Sequence, residues 1–381
     1  MKLAILNITA GGMSGGYKKY LCNLLPRLSS SPTVDEIVCT LPSFLILNDI
    51  PRRSNIKYVQ VSQYSIINHK LNGELKLILD KFTPDVVYVP IERLFYYKKA
   101  PVVTMLQNIE PFVYPLFNNP LTEKVKNWLR FYNARKALQK ADRIIAISQF
   151  VKDILVNQLH VKHQKIGIVY HDIDNINYHP KKPSYLPLNF ENFIFTAGSI
   201  RPARGLEDIL EALYYLSVQG IRIPLVIAGH VVPNMISYQK KLKDWIERND
   251  LSSNIWWVGT LSAGEMSWCY QNCKAFIMAS RVESFGMIGG EAMANGSICI
   301  SADNPCLPEL FGDAAIYYRP KDSKVLAETI KTVLSQDEHK RRGMSEKARK
   351  RAAEFSWDVC AEKTVEELAK AVEDFDRRKQ G

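Results

Sequence analysis

Glu283-Ser284-Phe285-Gly286-Met287-Ile288-Gly289-Gly290-Glu291 is the stretch from which the rest of this chain can be read. The apolar run Ala275 to Ala279 ahead of it has the length and composition of a short buried strand, and Ile288 to Ala294 behind it reads as a helix stopped by Gly296. Glu283 then falls in a strand-to-helix loop, and Glu291 lies on the helix, two turns in. The free N–H groups of Gly286 and Met287 open that helix and favour an anion. Two isolated glutamates flanking a turn would ordinarily be solvated surface charges. Here one carboxylate stands on each side of an anion site. That layout suits a ligand with hydroxyls on both sides of a phosphate, the shape of a nucleotide sugar.

Outward from this stretch the chain alternates strand and helix. Ahead of it, Phe193–Ala197, Pro224–Ala228 and Ile255–Val258 read as strands, and Ile298–Ser301 and Ala315–Tyr318 follow it. Residues 205–217, 236–249, 262–272 and 323–334 read as the helices between. The first half repeats the pattern, with strands at 3–8, 36–41, 56–61, 85–89, 102–106, 143–147 and 165–169 and helices at 16–28, 73–82, 123–140 and 149–159. Such alternation means parallel sheets covered on both faces, with ligands beyond the carboxyl ends of the strands. Lys181 to Asn192 is rich in proline and reads as a linker. The expected architecture is α/β: two doubly wound, Rossmann-like domains facing across a cleft, residues 1–180 and 193–356. Two further helices are expected at 345–355 and 357–379.

Two more loops carry chemistry. Gly11-Gly12-Met13-Ser14-Gly15-Gly16 follows the first strand and opens a helix, where glycines let backbone N–H groups approach a phosphate. Neither the dinucleotide-binding glycine spacing nor the P-loop pattern is met. Gly198-Ser199-Ile200-Arg201-Pro202-Ala203-Arg204-Gly205 leaves a strand and starts a helix, so Arg201 and Arg204 bring forked cationic donors to a helix end, a diphosphate site. Asp172-Ile173-Asp174 has the look of a Mg²⁺-binding pair, but its place after a strand and before the linker reads as structural, as does His171 beside it.

Taken together, Glu283 to Asn295, Leu307-Pro308-Glu309 and the arginine loop resemble the donor-binding signature of retaining glycosyltransferases of family four, group 1, with the GT-B architecture. The resemblance implies that Glu283 holds sugar hydroxyls, Glu291 holds the ribose, and Arg201 and Arg204 stabilise the departing diphosphate without a metal or other cofactor. It places Ser199, Phe285, Gly286 and Met287 at the donor, with Gly15 and Gly16 as the matching glycine pair of the first loop. Family members commonly show Gly-Arg-x-x-x-x-Lys-Gly at the arginine loop. Here Arg204 matches the lysine, Ser199 replaces the arginine, and Arg201 supplies charge from a shifted position. Family members often carry a histidine after the strand equivalent to 102–106, whereas this chain reads Leu106-Gln107-Asn108-Ile109-Glu110-Pro111. Gln107 and Asn108 keep hydrogen-bonding capacity toward a sugar or acceptor, and Glu110 is the nearest ionisable substitute. The resemblance also implies that the last helix, 357–381, crosses back onto the first domain.

Composition sets the remaining bounds. The 381 residues are 46% hydrophobic and 23% charged, a globular balance long enough for two cores. The apolar runs are far shorter than a membrane span needs, and the seven cysteines suit reduced thiols better than a disulfide framework. Cys269 and Cys273 lack a second pair that would make them a metal site. The expected place is the cytoplasm, with the inner membrane face as a peripheral site. Residues 1–190 hold 25 Lys and Arg against 13 Asp and Glu, a net +12, whereas the remainder holds 25 against 26, a net −1. This asymmetry points the first half at an anionic partner. The basic helix 123–142, with Val125, Trp128, Leu129, Tyr132 and Leu138 along one stripe, fits an anionic bilayer or the outer face of a core helix equally well. The expected partners are a nucleotide sugar and a glycan or lipid-linked acceptor. No nucleic-acid motif is present. A sugar-nucleotide epimerase, or a non-catalytic nucleotide-sugar-binding subunit, is the competing expectation on the same scaffold.

Overall fold

The computed structural model describes residues 1–9, 15–42, 52–64, 70–113, 121–173 and 178–380. Seven strands, β1 (Lys2–Leu6), β2 (Glu36–Pro42), β3 (Ile56–Val61), β4 (Val86–Val89), β5 (Val102–Leu106), β6 (Arg143–Ala146) and β7 (Ile166–Ile168), form one sheet in the order β3-β2-β1-β4-β5-β6-β7. Six more, β8 (Ile194–Ala197), β9 (Leu225–Ala228), β10 (Ile255–Gly259), β11 (Ala275–Met278), β12 (Cys299–Ala302) and β13 (Ala315–Tyr318), form a second in the order β10-β9-β8-β11-β12-β13. Every pairing is parallel. Leu3 to Leu6, Val86 to Val89 and Ala275 to Met278 are buried along their whole length. Runs apolar on both faces are what helix-covered parallel sheets require.

The helices are α1 (Gly15–Ser29), α2 (Lys70–Phe82), α3 (Glu110–Val113), α4 (Leu121–Lys140) and α5 (Gln149–Asn157), then α6 (Leu206–Val218), α7 (Ile236–Arg248), α8 (Ala263–Asn272), α9 (Met287–Ala294), α10 (Cys306–Phe311), α11 (Ser323–Leu334), α12 (Glu338–Ala352) and α13 (Trp357–Gln380). All thirteen expected strands are present, shifted by at most two residues at either end. Three helical features differ from the expectation. α3 and α10 are short helices with a proline in the first turn, where the missing N–H costs nothing. α12 begins at Glu338 rather than 345, because the Asp337 side chain caps the Lys340 N–H at 2.8 Å. Nine of its fifteen residues are charged, so no apolar stripe announces that first turn.

Packing divides the chain into two units: Met1–Phe112 with Val125–Asp172 and Ser356–Gly381, and Val113–Lys124 with Ile173–Phe355. Residues 181–192, read as a linker, lie inside the second unit, where the Lys181 N–H bonds the Gly264 carbonyl at 3.0 Å. In the first unit α13 packs on α1 and on β4, β5 and β6. Its Glu367 is buried against Arg143 of β6, at 2.7 Å, with 8% and 9% of the two side chains exposed. A Cβ on Gly167 of β7 would collide with the Glu367 carboxylate, so the glycine makes room for this pair. His171 is a packing residue: its ring stacks on Tyr20 at 4.7 Å and on Trp357 at 5.9 Å, and burial pushes its pKa down to about 3. All seven cysteines are thiols, and six of them are buried.

The strand order reverses direction between β1 and β4 in one sheet and between β8 and β11 in the other. Loops leaving the carboxyl ends of strands at such a reversal splay apart and leave a crevice. The loops singled out from the sequence leave these strands.

Candidate functional site

The second unit builds its reversal point from glycine. Gly198, after β8, has φ of +137° and donates its N–H to the Ala228 carbonyl at the end of β9. Gly229, with φ of +146°, donates to Gly259 at 2.7 Å, and a Cβ there would collide with the Gly198 carbonyl oxygen. Three strand ends are thus drawn together at positions where a side chain does not fit. Gly205 closes the loop with φ of +62° and starts α6.

Pro202 to Arg204 form one 3-10 turn, which carries Arg204 back over the β8 end. Its guanidinium pairs with the Glu283 carboxylate and donates to the Ser280 hydroxyl at 3.2 Å, while Ser280 donates to Glu283 at 3.0 Å. Arg204 is 26% exposed and Glu283 13%, so the pair faces a shallow opening. Arg201 joins the cluster: burial first and the neighbouring Arg204 charge second, against the opposing Glu283, bring its pKa down to about 10. Ser199, Arg204, Ser280 and Ile288 are among the residues lining a narrow opening between the β8 and β11 loops. Glu283, Arg201, Arg204 and Ser199, all expected at the donor, are therefore brought together on one unit.

The β11 loop is held by its own anchors. Arg281 is drawn away from the opening by a two-pronged pair with buried Asp208, at 2.5 and 2.6 Å. Burial alone would lower the Arg281 pKa, but Asp208's hydrogen bonds and charge hold it raised. Asp208 also accepts from the Tyr318 hydroxyl and the Lys321 N–H. The Asn304 side chain, after β12, donates to the Ser280 carbonyl. Sequence reasoning missed Ser280, Asp208, Arg281 and Asn304. Ser280 bonds Glu283 three residues on, but its contact with Arg204 and the partners of Asp208, Arg281 and Asn304 lie between 24 and 113 residues away, and no local signal shows those pairings.

Phe285 is 3% exposed and meets Phe355 edge-on at 5.8 Å, so its ring serves packing and only its backbone is left for a ligand. Gly286, with φ of +86°, is the left-handed residue that starts α9, and a Cβ on it would lie 2.8 Å from Leu307. Met287 is the first helical residue. Glu291 is the fifth, so it sits one turn into the helix and not the expected two. It is half-buried, and the Tyr270 hydroxyl donates to it at 3.5 Å. Gly289 and Gly290 let α9 lie close, since a Cβ at Gly290 would press on Ile173 at 2.7 Å.

In the first unit, Gly15 and Gly16 are the first residues of α1, and Gly11 to Ser14 lie outside the described residues. Asp172 is half-buried, and Asp174 is outside the described residues. Gln107 and Asn108 follow β5. The Gln107 amide points its nitrogen at the Met105 sulfur, and Asn108 Oδ1 accepts the Glu110 N–H at 3.1 Å. Glu110, expected in a turn, opens α3 instead. The half-buried acid beside Gln107 is Glu92, which accepts the Gln107 N–H at 3.4 Å.

On α4 the stripe weighed as a core face is turned outward at its start. Val125 is 61% exposed, Trp128 60% and Tyr132 46%, whereas Ala134, Ala137 and Leu138 are buried. Trp128 and Tyr132 stack at 6.2 Å, and Lys136 lies 4.3 Å over the Tyr132 ring.

Comparison with known proteins completes the picture. The chain is 23% identical to the O-antigen chain mannosyltransferase RfbU of Salmonella typhimurium over 86% of its own length and 90% of that protein. It is 26% identical to the serotype-specific mannosyltransferase WbdA of Escherichia coli over 66% of its length, which spans only 32% of WbdA. The Anabaena protein HepE, solved in complex with UDP-glucose, superposes with a TM-score of 0.72 at 19% identity, covering 97% of this chain and all of that one. The glycosyltransferase family 4 model matches residues 15–175 and the glycosyl transferases group 1 model matches 181–351. With two parallel-sheet α/β units of the GT-B fold, the chain belongs to the group 1, family 4 glycosyltransferases.

Proposed function

We propose that this glycosyltransferase is a retaining, metal-independent hexosyltransferase that moves a sugar from a nucleoside diphosphate to a glycan or lipid-linked acceptor. The observation that carries this is the clustering of Arg201, Arg204 and Glu283 at the β8/β11 reversal point, with Glu291 one turn into α9. Breaking the anomeric C–O bond leaves negative charge on the departing diphosphate. Two guanidiniums and the unsatisfied N–H groups at the start of α9 are placed to receive that charge without reorganising. Glu283, aligned by Ser280 and Arg204, meets the sugar hydroxyls, and Glu291 meets the ribose. The acceptor oxygen attacks on the face that the diphosphate leaves, and its proton passes to the departing phosphate oxygen. The chemistry then needs no general base from the protein. The mannosyltransferases among the relatives support a role in surface polysaccharide synthesis and make mannose the first sugar to try.

Among the described residues no helix is long and apolar enough to cross a membrane. A lipid-linked acceptor would instead be met at the bilayer surface. The exposed Val125, Trp128 and Tyr132, on a helix that also carries Arg130, Arg135, Lys136 and Lys140, support peripheral binding there. Co-sedimentation with anionic vesicles at low salt should recover the parent and lose Trp128→Ala; absence of binding at low salt would remove the membrane part alone.

Thermal shift with uridine and guanosine diphosphates, and with their glucose and mannose esters, tests the core of the reading. Stabilisation by one base family in the presence of EDTA is expected, reduced in Arg204→Ala and Glu291→Ala. Variants that bind the donor as the parent does would defeat it.

A further inference from the structure

We propose that the cavity between α6 and α7, within the second unit, is a saccharide-binding site separate from the donor site. No residue that lines it also lines the opening beside Arg204 and Ser280.

Helical spacing builds its walls. Glu207 and Glu211 stand four apart on α6, and Tyr238, Lys241 and Trp245 stand three and four apart on α7, so each set shares one helix face. Pro202, Arg281 and Lys321 close the cavity from loops that follow β8, β11 and β13. Its volume is about 500 Å³, inside the range of about 300–1,000 Å³ usual for small-molecule sites.

The lining narrows the ligand class. The Glu207 and Glu211 carboxylates are matched by the ammonium groups of Lys241 and Lys321, and Arg281 is balanced by Asp208 at 2.5 Å. With the signs even, a lone anion or cation has no advantage, yet strong donors and acceptors stand side by side. A hydroxyl gives and accepts at once, so a polyol satisfies both kinds of group. The half-buried Trp245, met edge-on by Tyr214 at 6.1 Å, adds an aromatic surface of the kind that suits the C–H face of a sugar ring.

One atom calls for such a donor. Glu207 accepts the Tyr238 hydroxyl at 2.9 Å with one carboxylate oxygen, while the other is buried with no hydrogen-bond partner among the described residues. Arg281 feels the Glu207 charge, but its two terminal nitrogens bond Asp208. A buried carboxylate oxygen without a donor is costly, and a ligand hydroxyl placed there recovers that cost.

Saturation-transfer NMR on the full chain tests the site, with methyl α-mannoside, methyl α-glucoside and mannotetraose as probes. Saturating UDP or GDP keeps the donor opening filled, and saccharide signals should persist. Their Kd should rise about tenfold in Glu207→Gln and in Lys241→Glu, and stay at the parent value in Arg204→Ala. Lys241 is exposed, so its variant keeps the fold, which a thermal melt checks. Tighter binding of mannotetraose than of the monosaccharides assigns the cavity to a glycan chain; equal binding assigns it to a free sugar. No transfer to any of the probes, or a Kd within about twofold of the parent in both cavity variants, would overturn the proposal. So would a signal lost in Arg204→Ala and kept in Glu207→Gln, which puts the sugar at the donor site. A parent that binds neither nucleotide, yet loses saccharide only in the cavity variants, defeats the donor reading and leaves this one standing.

Discussion

At the reversal point of the second sheet, two arginines and a glutamate are pressed together behind glycine-walled loops. Past the ends of β4 and β5 in the first, the groups are amides and one half-buried acid. The two sheets share their winding, and the crevice each makes follows from it. What fills the crevice does not follow. The second holds two arginines beside one glutamate, the grouping proposed above for a diphosphate, while Arg281 is paired with Asp208 instead. The first offers neutral amides beside one acid. One topology can therefore present two different sets of polar groups, and the difference lies in a few residues just past the strands.

The sharpest way to break this contrast is Arg204→Ala. Loss of one preorganised donor to developing charge should cut kcat/KM by about 10²–10³. Gln107→Ala in the same assay should cost only a few-fold, and equal losses would erase the distinction. Glu367→Ala comes next and acts through stability. Leaving buried Arg143 with Asp374, at 3.1 Å, as its remaining carboxylate should cost about 1.5–3 kcal/mol, read as a lower unfolding midpoint in urea. Because this pair lies in the first unit, donor nucleotide binding below the transition should be unchanged. A smaller effect is carried by pH. Arg201 is cationic below about 10 and neutral above it, so nucleoside diphosphate affinity should fall as pH rises through that value. The alkaline fall should be much weaker in Arg201→Met; an unaltered fall would place Arg201 away from the phosphate. Asn108→Ala is the mildest. Its amide loses a bond to sugar and frees the Glu110 N–H, so KM for one sugar should rise about fivefold, with nucleoside diphosphate binding unaffected.

The strands were legible because each is a short apolar run between turn-forming residues, and burial on both faces leaves no other reading of Leu3 to Leu6 or Ala275 to Met278. Strand order was not legible, since nothing in β8 names β11 as its neighbour. The site was legible where charge meets backbone locally, as at Arg201, Arg204, Glu283 and Glu291. Its long-range supports were hidden: Asp208 looks like an ordinary first-turn acid until Arg281 is folded beside it. Glu92 had a weak signal, a carboxylate shortly after the apolar run 86–89 at what had to be a sheet's carboxyl edge.

Placing α13 on β4, β5 and β6 sets a timetable for biosynthesis. Residues 173–355 form a unit that can close while the chain is still being made. The sheet begun first has to wait for residues 357–380 before Arg143 finds its acid. The amino-terminal half is thus finished last, and until then its covering helix is missing and β4 to β6 are open to chaperones. Removing that helix would leave Arg143 without Glu367 and Asp374, and β4 to β6 without the cover that α13 gives them.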